Sequence, residues 1–124
     1  MLIVDGLKEA QALNSAKLIL NRKKLPDGIF ITNDFCAAVV MQELKDAGVR
    51  VPQEVAIVGF NNDIIGKVVS PKLTTINYPG FEMGQLAANS LINHLKGTWD
   101  MNITNTMVIK SELIIRGSSL KKGK

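Results

Sequence analysis

The residues best suited to chemistry in this chain are small and polar, and they recur at one kind of place. Thr32-Asn33-Asp34, Phe60-Asn61-Asn62 and Asn77-Tyr78-Pro79 each follow an apolar run of strand length: Ile29-Phe30-Ile31, Val55-Ala56-Ile57-Val58 and Leu73-Thr74-Thr75-Ile76. The first two runs lack the polar alternation of a strand with one wet face. They read as parallel α/β strands covered on both faces, whose carboxyl ends line a ligand crevice. Amides and hydroxyls at such ends suit hydrogen bonding to a hydroxyl-rich small molecule. Asn33 offers a donor and an acceptor from one side chain. Asn61 and Asn62 have two readings, tight-turn residues or ligand contacts, because asparagine tolerates turn conformations. Tyr78 either packs its ring at the crevice edge or offers its hydroxyl and face to a sugar ring. Asp34 is read as the N-cap of the helix that follows, whose first-turn N–H groups need an acceptor.

Catalysis has little to work with. His94 is the single histidine. It falls near a helix C-terminus, where the helix dipole accounts for it. No cysteine or second histidine stands at metal-ligand spacing, no nucleophile and base are paired, and no glycine-rich phosphate loop follows a strand. We therefore expect no metal, no cofactor and no enzymatic activity. Cys36 lies among apolar neighbours and reads as a small buried hydrophobe; as the single cysteine it has no intrachain disulfide partner.

The elements that must position these residues alternate. Leu2 to Val4 reads as a short strand, and Lys8 to Lys23 carries Ala10, Leu13, Ala16 and Leu20 at helical spacing, with Pro26 and Gly28 as stop signals. A second helix is expected from Phe35 to Ala47, with Gly48 as its stop, and a short one from Asp63 to Val69. Gly80 to Leu95 is the clearest amphipathic helix, with Ala87, Ala88, Leu91, Ile92 and Leu95 on one face. After a polar loop from Thr98 to Thr106, β character returns in Val108-Ile109 and Leu113-Ile114-Ile115. Strands alternating with helices make a doubly wound α/β sheet with flanking helices.

With 124 residues the chain is a single domain by length. No apolar run approaches the roughly 18 residues that read as a membrane span, so no membrane partner is expected. The net charge of +4 is partly concentrated in Arg22-Lys23-Lys24 and Lys121-Lys122-Gly123-Lys124. A solvated helix end and a frayed terminus account for these clusters, because neither aromatic interleaving nor a helix-turn-helix pattern accompanies them. The first six residues lack the basic and long apolar regions of a signal peptide, which favours the cytoplasm.

Taken together, Pro26-Asp27-Gly28-Ile29-Phe30, Thr32-Asn33-Asp34, Leu44 to Pro52, Val55 to Phe60, Ser70-Pro71-Lys72-Leu73-Thr74-Thr75-Ile76, Glu82-Met83-Gly84 and Glu112 to Ser119 resemble the effector-binding domain of the LacI/GalR family of transcriptional regulators. The resemblance spans nearly the whole chain and implies one lobe of a periplasmic-binding-protein-like fold. It covers the C-terminal part of such a regulator, so residues 80–97 are expected to belong to the other lobe and 117–124 to form a flexible tail.

The resemblance implies effector contacts at Asn33 and Asn61; Asn62 and Tyr78 join the expected site from their own placement at the strand ends. The family usually has aspartate at the position of Asn61 and Gln-Pro where this chain has Tyr78-Pro79. A homodimer is also expected, through Phe35, Ala38, Val39, Ile65, Val68 and Val69; the resemblance implies a dimer contact in the region of the last three. An apolar circumference around the first two turns after Asp34 supports the same face, since one sheet cannot cover a helix on all sides. The implied function is sensing of a sugar-like metabolite, with DNA reached only through an N-terminal headpiece that has no counterpart here. A part of a periplasmic sugar-binding protein or sensor is the alternative.

Overall fold

Apolar residues at three- and four-residue spacing set the longer helices, two of them ended by Gly48 and Gly97, and short apolar runs set the strands. The computed structural model describes residues 6–100, 102 and 106–121. In chain order it has α1 (Glu9–Leu20), β1 (Gly28–Phe30), α2 (Asp34–Asp46), β2 (Ala56–Phe60), α3 (Ile65–Val68), β3 (Thr74–Asn77), α4 (Gly80–Leu95) and β4 (Glu112–Ile114). The strand expected at Leu2 to Val4 lies outside the described residues, as do parts of the 98–106 loop and residues 122–124.

The sheet runs in the order β1-β2-β3-β4. β1 pairs parallel with β2, Ile29 opposite Ile57, and β2 pairs parallel with β3, Phe60 opposite Ile76. Parallel neighbours need a crossover rather than a hairpin, and α2 and α3 supply it. The α/β class with a parallel sheet is thus the observed one.

By its contacts the chain divides into two units. One holds the chain up to Asn77 and again from Leu113; the other is Tyr78–Glu112. In the larger unit Ala16, Ala37, Leu44, Val55, Ile57 and Leu73 have no exposed surface and form the centre of one core. α2 contacts α1, β2 and α3, so its apolar circumference finds more cover within the chain than the sequence led us to expect. Ala38, expected at a dimer face, is buried.

Two further expectations are corrected. Burial on both strand faces is not found: Phe30 is 55% exposed, and β2 alternates buried Ile57 and Gly59 with half-buried Ala56, Val58 and Phe60. β1 is an outer strand of the described sheet, and α2 covers only one face of β2. The expected flexible tail also starts too early, because Ser118 is fully buried. Its hydroxyl donates to the Ile57 carbonyl at 2.6 Å and accepts from the Thr74 N–H at 2.8 Å.

In the second unit, α4 has the bounds expected of it, and Gly97 takes a left-handed φ of +71° just beyond its end. None of its residues is buried.

Candidate functional site

The carboxyl ends of β1 and β2 bring Asn33, Asp34, Asn61 and Asn62 onto the larger unit. Asn33 is extended (φ −154°), and its Oδ1 accepts the Cys36 N–H at 3.0 Å. Asn33 is therefore the N-cap of α2, and the assignment of that role to Asp34 is corrected. Asp34 is the first helical residue and is fully buried. Its Oδ1 accepts the Thr75 hydroxyl at 2.7 Å and its Oδ2 accepts the Asp63 N–H at 2.8 Å. A buried carboxylate is costly without donors, and here two distant segments provide them. Gly59 makes room for it: a Cβ there would overlap Asp34 Oδ1.

Asn61 and Asn62 both have left-handed backbones, φ +117° and +56°, so the turn after β2 is one that few side chains tolerate. The Asn61 N–H donates to the Ile76 carbonyl at 3.0 Å, which continues the β2–β3 ladder by one residue. Its half-buried side chain makes no hydrogen bond among the described residues. An amide held by its backbone with donor and acceptor both unspent is ready to meet a ligand.

Asn62 differs. Its N–H donates to Thr75 Oγ1 at 3.2 Å, its Nδ2 to Asn77 Oδ1 at 3.3 Å, and its Oδ1 accepts Arg116 Nη2 at 2.8 Å. The Asn62 amide, expected at a ligand, is thus engaged by β3 and by the chain after β4, and its second Nδ2 hydrogen has no bond among the described residues. Arg116 also donates from Nη1 to the Leu73 carbonyl at 2.9 Å, and its own N–H donates to Thr74 Oγ1 at 2.8 Å.

Sequence reasoning assigned no role to Arg116, Thr74 or Thr75. The available signal was two hydroxyls in an otherwise apolar strand and an arginine directly after Leu113-Ile114-Ile115.

Tyr78 belongs to the other unit. It is 40% exposed, and its ring lies so close to Gly80 that a Cβ there would approach it to 2.9 Å. His94 Nδ1 lies 3.0 Å from the Trp99 carbonyl oxygen. Among the described residues no group of three or more His, Cys, Asp or Glu could hold a metal ion. A cavity of about 480 Å³ lies among α1, β1 and α2 and reaches the carboxyl end of β1, with Gln11, Ser15, Arg22, Thr32 and Cys36 in its wall. Burial pushes the Cys36 thiol up, which disfavours the reactive thiolate.

Around α2 and α3, Phe35, Ile64 and Val68 are exposed, while Val39, Ile65 and Val69 are half-buried. Among the described residues no helix is long and apolar enough to cross a membrane.

A parallel α/β unit with polar side chains at its strand ends defines a ligand-binding class of domain. The chain belongs to the periplasmic binding protein-like domain family, which matches residues 3–119. It is 36% identical over 101 residues to the NTD biosynthesis operon regulator NtdR of Bacillus subtilis, covering 82% of this chain and 30% of that protein. It is 32% identical over 123 residues to the HTH-type transcriptional repressor PurR of Photobacterium profundum, covering 94% of this chain and 34% of the repressor. The chain thus spans about a third of the length of these curated relatives.

Among solved structures, a LacI-type transcription regulator from Bifidobacterium animalis subsp. lactis matches with TM-score 0.82 and 26% identity, over 95% of this chain and 42% of that one. A periplasmic binding protein/LacI transcriptional regulator from Alkaliphilus metalliredigens, complexed with D-xylulofuranose, matches with TM-score 0.73 and 36% identity, over 94% and 42%. The chain corresponds to part of the effector-binding domain of LacI/GalR-family regulators.

Proposed function

We propose that this chain is the effector-sensing part of a bacterial LacI/GalR-type transcriptional regulator. It binds a small sugar-like metabolite at the carboxyl ends of β1 and β2 and controls DNA binding by a module outside these 124 residues. The observation that carries this reading is Asn61: a half-buried amide, fixed by a left-handed backbone, with no internal hydrogen bond among the described residues. Asn33 supports it, since capping α2 uses only its Oδ1 and leaves its amide N–H groups for a ligand. The D-xylulofuranose bound to the Alkaliphilus metalliredigens relative supports the ligand class.

The mechanism is a population shift. The effector favours one conformational state of the sensor, and it changes DNA affinity by no more than its differential affinity for the two states. A neutral amide at position 61 both donates and accepts, whereas the family's usual carboxylate only accepts but forms the stronger charge-assisted bond. Ligands that present both a hydroxyl donor and an ether or carbonyl acceptor to this position are therefore preferred. The regulator acts in the cytoplasm as a homodimer joined through Phe35, Val39, Ile64, Ile65, Val68 and Val69.

The test is a thermal-shift screen of the full-length regulator against monosaccharides and related polyols, followed by calorimetry on the ligand found. Asn61→Ala is expected to weaken binding by roughly 1 to 3 kcal/mol, the cost of leaving a buried partner unsatisfied. Unchanged affinity removes Asn61 from the site, and a screen without any ligand of this class overturns the reading.

A further inference from the structure

The chain leaves the larger unit after Asn77 and returns to it at Leu113, and the amide of Asn62 bonds to both passages. Its Nδ2 donates to Asn77 at 3.3 Å, on the last residue before the chain leaves, and its Oδ1 accepts from Arg116 at 2.8 Å, three residues after the chain is back. Its own N–H meets Thr75 Oγ1, the hydroxyl that also donates to the buried carboxylate of Asp34. Asn62 directly follows Asn61 and shares its left-handed turn. A non-glycine residue at φ +56° is uncommon and persists where surrounding bonds hold it.

We propose that Asn62 is a positioning residue that locks the turn carrying Asn61 to both connections between the units, so that turn and connections shift together. The two halves of the lock are unequal. The bond from Arg116 is short and charge-assisted, whereas the bond to Asn77 is long and neutral, so the Asn62 side chain holds the returning passage more strongly than the outgoing one. A ligand drawing on Asn61 moves the turn, and through Asn62 it moves the points at which both chain passages enter and leave. That sensing role rests on the function proposed above; the lock itself does not.

Amide hydrogen exchange on the ligand-free chain tests the lock, using Asn62→Gly, Asn77→Leu and the double variant. Glycine suits the left-handed backbone while removing both side-chain bonds. Asn62→Gly is expected to speed exchange roughly tenfold over residues 113–117 and a few-fold over 77–81, in keeping with the loss of one charge-assisted and one neutral bond. Asn77→Leu, which leaves the turn's sequence intact, is expected to speed exchange at the Asn62 and Asp63 amides. The double variant should exchange no faster over 77–81 than Asn62→Gly, because the two side chains act through one bond.

An Asn62→Gly effect confined to residues 61–65, or additive effects in the double variant, overturns the proposal. Failure of every sugar to bind would defeat the proposed function while leaving the exchange result standing.

Discussion

α2 and α4 are helices of similar length whose apolar residues meet opposite fates. In α2, Ala37 and Leu44 lose all exposure against α1, β2 and α3, and seven of its thirteen residues are buried. α4 has the cleaner apolar stripe of the two, yet none of its sixteen residues is buried, and Leu91 and Leu95 are 50% and 76% exposed. Amphipathicity states that a helix has a face to hide; the surrounding fold determines whether the chain supplies the cover. Burying a large aliphatic side chain is worth roughly 1.5 to 3 kcal/mol, so any surface that covers the stripe gains substantially.

The largest effect tests that contrast directly. Leu44→Ala should cost about 2 to 5 kcal/mol, since it opens a cavity at a site with no exposure. Leu95→Ala, at a largely exposed site, should stay within about 0.5 kcal/mol. Urea denaturation of both variants measures the difference, and equal losses would erase the distinction between the two helices.

Next in size is Gly59→Ala in the larger unit. The new Cβ would overlap the Asp34 carboxylate and come within 2.9 Å of Leu73 Cδ2. Overpacking of this kind costs roughly 1 to 3 kcal/mol. Here it would also displace an acceptor that holds the Thr75 hydroxyl and the Asp63 N–H. A variant as stable as the parent would mean that Asp34 moves aside freely, and that the network at the strand ends is looser than its distances imply.

Self-association separates the two units in another way. Val68 is 70% exposed beside Ile64, and Val68→Lys should weaken dimerisation by about tenfold or more, from the loss of roughly 1.5 kcal/mol of apolar burial. Sedimentation velocity over a concentration series reads the shift. If Val68→Lys leaves the mass unchanged and Leu95→Lys lowers it, the contact belongs to α4 instead.

The smallest effect lies at the surface. The Arg50 N–H and the Arg50 guanidinium both donate to Glu54 Oε2, at 2.8 and 3.0 Å. These bonds, the backbone one first, hold the Glu54 carboxyl below its ordinary value of 4.5. With the folded-state pKa depressed, the contribution to stability is present above the unfolded pKa and is lost as pH falls through the folded one. Arg50→Ala should raise the Glu54 titration midpoint only part of the way in an NMR titration, because the backbone donor remains. A complete return would assign the whole shift to the guanidinium.

Much of this was legible in the residues because it depends on local chemistry. Gly80 to Leu95 carries its own bounds, from a helical repeat of apolar residues and a glycine just past the end. Gly48 stops α2 in the same way, with φ +86°. The polar strand ends were visible because three apolar runs stop at asparagines, and the α/β alternation follows from the spacing of those runs.

The division of labour within each asparagine pair was not legible. Asn33 and Asp34 both have side chains suited to capping, and the choice was made by Asp63 and Thr75, 29 and 41 residues away, which draw the carboxylate inward and leave the cap to the amide. Asn61 and Asn62 look alike in sequence, but Asn77 and Arg116 engage only the second. Ala38 and Ser118 were misread for the same reason, since burial depends on packing by other parts of the chain.

By itself the sequence determined the elements, their order and the kind of side chain at each strand end, because propensity, periodicity and capping act over a few neighbouring residues. Only the tertiary structure decided which asparagine side chain makes no hydrogen bond among the described residues and which ties the turn to the rest of the unit. A hydrogen bond goes to whichever partner folding brings within about 3 Å, and these partners lie 15 to 54 residues away along the chain.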